Sequence, residues 1–293
     1  MTPATRTKRA DLSLAVRELL EPHDCVVGVV AVGSVATGMA RPDSDIDALV
    51  FMSPVNRHIV PAEALWRRSD DTFHSIFTHY ETVRGDAIPL DLKLCDFAIW
   101  RSDESYWTEG QRAGLAEGWI AFDRDGSIAR LIQEKTKYSE SIRRDKIDVA
   151  VTGLDQILQD GKPERVWEQL GPTLAFDRLG AAYSFLMDLL FAMNSQWRFW
   201  PERQMTYLLN LPRLPEDIEA RLLNAMNGPG VSFDGYQHRV SALRSRFKDV
   251  LADLIAEGFY QSDPISESFM RGHDEPGRAW NMDAWNEKRE RKT

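Results

Sequence analysis

Cysteine is almost missing from these 293 residues, with only Cys25 and Cys95 present. Two thiols cannot build a disulfide framework, and no Cys/His spacing resembles a zinc site. Both lie in apolar stretches, so buried, reduced thiols are expected. Long hydrophobic runs are missing too. Val26–Val32 and Phe185–Met193 fall well short of the roughly 18 residues that a membrane-spanning helix needs, and Asp188 interrupts the second. The start, MTPATRTKRA, is basic without the apolar core of a secretory leader, which points to a cytoplasmic protein. Positive charge is in deficit, at 36 Lys plus Arg against 45 Asp plus Glu and a net charge of −9. That balance argues against non-specific nucleic-acid binding as the main task, because phosphate contacts need surplus Lys and Arg, though a local basic patch stays open. His74 and His79 lie five apart in an expected strand, on opposite faces, and so do not form a metal pair.

What is present is an ordinary globular balance, 43% hydrophobic and 28% charged, in a chain long enough for two domains. Helical spacing runs over Asp11–Leu20 until Pro22. Cys25–Val32 and Asp45–Met52 are short β-branched apolar runs, the pattern of buried strands. Pro61–Arg68 reads as a short helix with Pro at its first position. Phe73–Arg84 and Ile88–Cys95 read as a hairpin turning at Gly85 and Asp86, and Trp119–Asp123 as a last strand. The expectation is an α/β (α+β) domain with a mixed sheet over 1–126. Beyond it, helical periodicity dominates. Leu179, Tyr183, Leu186, Leu190 and Met193 mark one face of a long helix from Pro172. Pro215–Met226 and the stretch from Val240 to Ile255 give two more. An all-α helical bundle is expected over 127–261, and a polar tail with a few anchoring points over 262–293.

One stretch carries chemistry: Gly33-Ser34, ten residues, then Asp45-Ile46-Asp47 opening an apolar strand. Side chains alternate along a strand, so Asp45 and Asp47 project together while Ile46 enters the core. Two carboxylates held side by side repel, and a shared divalent cation relieves them. Gly33 allows a tight turn after the first strand, and Ser34 then opens a short helix whose free N–H groups suit a phosphate. Asp91, in IPLDLKL, shares a strand face with Lys93 and supplies a third carboxylate; an ion pair with Lys93 is expected. Taken alone, Asp-X-Asp is a solvated turn leading into a strand. Together with Gly-Ser at this distance and a later strand carboxylate, it describes a site for a nucleoside triphosphate with Mg²⁺.

GSVATGMARPDSDIDALV resembles the signature of the DNA polymerase β-type nucleotidyltransferase superfamily. Within it, the stretch is similar to aminoglycoside (streptomycin/spectinomycin-type) adenylyltransferases, which pair such a domain with a helical bundle that helps bind the antibiotic. The resemblance covers about 26–52, with looser support through Asp91. It implies a catalytic domain over 1–126 and an acceptor-binding bundle after it. It also implies transfer of a nucleoside monophosphate, AMP from ATP by default, to an acceptor hydroxyl, with release of pyrophosphate. Asp45 and Asp47 would hold two Mg²⁺ ions, and Asp91 would be a metal ligand, general base, or both. Gly33 and Ser34 would clamp the β/γ-phosphates, with Arg41 adding positive charge.

The acceptor is less legible. The excess acid favours a small cationic acceptor such as an aminoglycoside, and so antibiotic resistance. RNA (a tRNA end, as for a toxin-like enzyme) or a protein hydroxyl is the alternative, and a non-catalytic nucleotide-binding module is a third reading. NSQWRFWPERQMTY reads better as an aromatic interhelical corner around Trp197, Phe199 and Trp200 than as a ligand platform. Tyr106, Trp107 and Trp119 carry the same reading. Lys135 and Lys137 read as a solvated helical face.

Overall fold

The computed structural model describes residues 1–77, 87–215, 217–275 and 277–291, and it divides into two compact units, Met1–Lys137 and Tyr138–Thr293. Among the described residues the first unit is built on six strands: β1 (Val26–Ala31), β2 (Ile46–Met52), β3 (Glu63–Arg67), β4 (Thr72–His74), β5 (Ala87–Asp96) and β6 (Trp119–Asp123). Their order is β4-β3-β5-β2-β1-β6. Among the described residues only the β2–β5 pair is parallel, which makes the sheet mixed as expected. Val29, Val30, Ala31, Val50 and Phe51 are fully buried at its centre, as β-branched and aromatic runs covered on both faces should be. Pro89 is tolerated because β5 there pairs only with β3; pairing with β2 begins at Leu90.

Helices α1 (Pro3–Ala15), α2 (Gly33–Thr37), α3 (Phe97–Arg101), α4 (Glu109–Ala116) and α5 (Ser127–Lys135) complete this unit. After Ala15 a π-helical turn, Val16–Leu20, continues α1 and carries Val16 and Leu20 into the core. Thr2 caps α1 by accepting the Thr5 N–H, with Pro3 at the first helical position. The unit ends at Lys137 rather than at residue 126. Ile128 and Leu131 of α5 join the core of Val30, Phe51 and Cys95, so α5 belongs with the sheet. The approach is so close that a Cβ on Gly28 would sit 2.5 Å from Ile128 Cγ1.

Two expectations change here. The segment 61–68 is not a helix but holds β3, which pairs antiparallel with β5 from Glu63↔Asp91 to Arg67↔Ala87. Ala64, Leu65 and Trp66 are all buried, so sheet pairing overrides the helical preference of Ala, Glu and Leu. The hairpin partner is also different. Thr72–His74 pairs with β3, and β5 lies between β3 and β2. The rest of that segment, His79, and the turn at Gly85 and Asp86 fall outside the described residues.

The second unit is helical: α6 (Glu140–Leu158), α7 (Lys162–Leu170), α8 (Pro172–Met193), α9 (Pro201–Leu208), α10 (Ile218–Met226), α11 (Phe233–Ala256), α12 (Pro264–Gly272) and α13 (Met282–Glu290). Leu186 and Leu190 of α8 are fully buried, and Met193 nearly so. Residues 262–293 are more than a tail. Asp148 of α6, buried at 2% exposure, accepts two hydrogen bonds of 2.8 Å from the Arg271 guanidinium, which fastens α12 to α6. Trp197 and Phe199 are buried, Phe199 stacks on Tyr207, and Arg198 donates to Asp188, Ser184 and Gln204. That is the aromatic corner. No helix among the described residues is long and apolar enough to cross a membrane.

Candidate active site

The three carboxylates foreseen from the sequence meet. Asp45 precedes β2, Asp47 is its second residue, and Asp91 stands directly across the parallel ladder from Asp47. One carboxylate oxygen from each lies within 4.8 Å of the others. Ile46, between the two, is fully buried on the opposite face. Strand alternation and the register Asp47↔Asp91 are the whole cause of this convergence. An oxygen-only donor set of three carboxylates suits a hard divalent cation such as Mg²⁺.

Burial raises the Asp91 pKa above its ordinary value, and the negative charges of Glu63 and Asp45 raise it further. Glu63 is a residue the sequence did not reveal, because its segment reads as helix. As the first residue of β3 it pairs directly with Asp91, adding a fourth carboxylate beside the three. Lys93 does not relieve this charge. Its ammonium lies 5.8 Å from the Trp100 ring centroid, and no Lys93–Asp91 ion pair forms.

On the other side of β2, β1 leads into a turn at Gly33, whose φ of 63° is the left-handed region that glycine adopts freely. The backbone N–H of Val32 donates to the Asp47 carbonyl, tying the turn to the carboxylate strand. Ser34 follows in α2, which has five residues and closes at Gly38, φ 82°. Arg9 of α1 donates to the carbonyls of Val35 and Ala36, and the buried Thr5 hydroxyl accepts the Ala40 N–H. These anchors were also unforeseen, since they act across the fold. Arg41 sits in the loop between the motifs, exposed, with its guanidinium 3.2 Å from Asp43.

Residues 12–111 match the family model of the nucleotidyltransferase domain. The match contains Gly33, Ser34, Arg41, Asp45, Asp47 and Asp91. The matched residues form a nucleotidyltransferase domain, which transfers a nucleotidyl group and takes a nucleoside triphosphate as substrate. None of the curated proteins matches the chain. Among solved structures, a nucleotidyltransferase-like protein from Exiguobacterium sibiricum is similar over 92% of this chain and 83% of its own, at 14% identity and a TM-score of 0.42.

Around the nucleotidyltransferase motifs, the remaining candidates take structural places. Trp107 is buried and donates its indole N–H to the Trp100 carbonyl, while Tyr106 is exposed. Trp119 lies under the Arg9 guanidinium, 4.8 Å away. Lys135 is no solvated helical face. It donates to the Ser102 carbonyl and pairs with Asp103 at 3.2 Å. Cys95 is buried, and burial pushes its thiol pKa up to about 11, which leaves it an inert core residue.

Proposed function

We propose that this enzyme carries out Mg²⁺-dependent transfer of AMP from ATP to a hydroxyl of a small acceptor, releasing pyrophosphate. The observation that supports this reading is the meeting of Asp45, Asp47 and Asp91 beside the Gly33 turn. Asp45 and Asp47 hold two Mg²⁺ ions in this proposal, with Asp91 as third ligand or general base. Bound Mg²⁺ supplies neutralisation of the triphosphate and polarises its α-phosphorus. The Gly33 and Ser34 backbone N–H groups and the Ser34 hydroxyl take the β/γ-phosphates, with Arg41 adding charge.

In the transfer, a new bond forms from acceptor oxygen to α-phosphorus and the bond to the β-phosphate bridging oxygen breaks. The proton of the acceptor hydroxyl passes to an Asp91 carboxylate oxygen if Asp91 is the base. Positioning and charge neutralisation provide most of the acceleration.

We assign this chemistry to the sheet unit and a share of acceptor specificity to the helical unit, acting in the cytoplasm. Among small acceptors, the net charge of −9 makes a cationic molecule of aminoglycoside type, and with it a role in antibiotic resistance, one candidate class; the charge of the pocket that receives the acceptor decides between classes. Incubation with Mg²⁺ and labelled triphosphates, with aminoglycosides, tRNA and cell lysate offered separately, tests the proposal. Label on a small molecule supports it. Label on RNA or protein moves the acceptor to the alternative class, and nucleotide binding without transfer overturns the enzyme assignment.

A further inference from the structure

A pocket of about 730 Å³ opens at the far end of β5 from the carboxylates, entirely within the sheet unit. It is in the size range of small-ligand sites. Pairing with β3 stops at Asp91, so the edge from Lys93 to Asp96 faces the 54–58 loop instead of a strand, and Ile99 and Trp100 of α3 complete the wall. Arg57, His58 and Lys93 bring three basic side chains to this pocket. None of them has a carboxylate within ion-pairing distance among the described residues. The acid that lines the pocket, Asp96, is committed, because its Oδ1 accepts the N–H groups of Ala98 and Ile99 and caps α3. In a chain with nine excess negative charges, two cations, Arg57 and Lys93, without a carboxylate partner among the described residues, beside His58, an indole and an exposed Ile99, are a local reversal.

Its position gives the reversal a meaning, resting on the transfer reading above. The proposed phosphate cradle at Gly33 and Ser34 lies on the β1 side of β2, whereas β5, whose Lys93–Asp96 edge lines the pocket, flanks β2 on its other side and carries Asp91 two residues before Lys93. An in-line displacement brings the attacking oxygen from the side opposite the departing pyrophosphate. The attacking hydroxyl therefore enters from the β5 side. Lys93, two residues beyond Asp91 on the same strand face, joins the two places. We infer that the pocket bounded by Arg57, His58, Lys93 and Trp100 receives the acceptor, and that the acceptor bears a carboxylate or phosphate on a planar body. Whole-chain charge thus misleads about the acceptor, whose charge is read locally.

Four probes that keep ring and hydroxyl constant separate the possibilities: 4-(hydroxymethyl)benzoate, 4-(hydroxymethyl)phenyl phosphate, neutral benzyl alcohol and cationic 4-(hydroxymethyl)benzylamine. Binding to the full chain is followed by calorimetry and tryptophan fluorescence without Mg²⁺ or nucleotide. The two anions should bind at least about tenfold more tightly than the amine, one factor of ten being about 1.4 kcal/mol. The exposed double variant Arg57→Gln/His58→Gln should lose that preference while keeping its thermal midpoint. Tighter binding of the amine, no binding of the anions, or an anion preference retained in the double variant would overturn the inference. The two anions against each other separate carboxylate from phosphate. Asp45→Asn, assayed for Mg²⁺-dependent transfer of label from α-labelled ATP to acceptors in cell lysate, scores the transfer reading on its own. Loss of transfer with anion binding intact supports both readings, and wild-type transfer in the variant with anion binding intact overturns only the metal-dependent transfer reading.

Discussion

The two units differ in where they leave charge unanswered. In the helical unit, acid and base answer each other: Asp148 with Arg271, Asp188 with Arg198, Glu257 with Arg143. In the sheet unit three carboxylates crowd within 4.8 Å, Asp45 and Asp91 without an ion pair among the described residues, and cations gather unpaired at the other end of β5. Paired charges hold a fold together, whereas like charges held close cost stability and persist where a ligand relieves them. The difference marks one unit as self-sufficient and the other as built around something it binds.

The largest expected effect breaks the sheet unit's side of that contrast. Asp45→Asn or Asp47→Asn should lower Mg²⁺-dependent pyrophosphate release by on the order of 10³-fold, as loss of a preorganised electrostatic contact does. The thermal midpoint of the metal-free Asp45→Asn protein should hold or rise, because a repulsion has been removed. Near wild-type turnover in either variant would end the metal assignment. Asp91→Asn should lower kcat by about 10²-fold or more and leave the Michaelis constant for nucleotide within a few-fold if Asp91 is the base; the reverse split would make it a binding residue.

Acidity sharpens the same point. Asp91 has a raised pKa when folded, so between its ordinary value of 3.8 and that raised value the native state holds more protons than the unfolded one. Stability of the metal-free protein should therefore fall as pH rises through that window. Asp91→Asn should flatten this slope in thermal scans, and a slope unchanged in the variant would show that other groups set it.

Arg271→Ala tests the helical side, since it leaves buried Asp148 without its partner. The expected cost is about 3 kcal/mol in denaturant unfolding, with Mg²⁺-dependent pyrophosphate release kept wherever the protein is folded. Gly28→Ala should cost about 2 kcal/mol by forcing apart β1 and α5. Arg41→Ala should cost less than about 1 kcal/mol, because its pair with Asp43 is exposed; a several-fold rise in the Michaelis constant for ATP would then assign Arg41 to the phosphates.

The carboxylate site was legible because its parts are local. Gly33-Ser34 and Asp45-Ile46-Asp47 lie in one short stretch, and Leu90, Leu92 and Leu94 announce the face from which Asp91 is excluded. Neighbourhood across the sheet was not legible. PAEALWRR reads as helix, and only the partner strand β5 makes it β3, so Glu63 stayed hidden beside Asp91. The attachment of α5 escaped for the same reason: its Ile128 and Leu131 look like any amphipathic helix until Gly28 makes room beneath it. Arg271 read as one charge in a polar tail, because nothing local says that Asp148 awaits it.

The parallel pairing of β2 with β5 also acts as a gauge. A slip of one residue would keep the ladder's hydrogen bonds but turn Asp91 towards the core and Leu90 or Leu92 towards the carboxylates. A cation that needs all three oxygens binds only the aligned sheet, and so by mass action it favours that alignment over every misthreaded one. Metal uptake during refolding would then serve as an inspection step, reporting that two strands far apart in the chain have met in the right place.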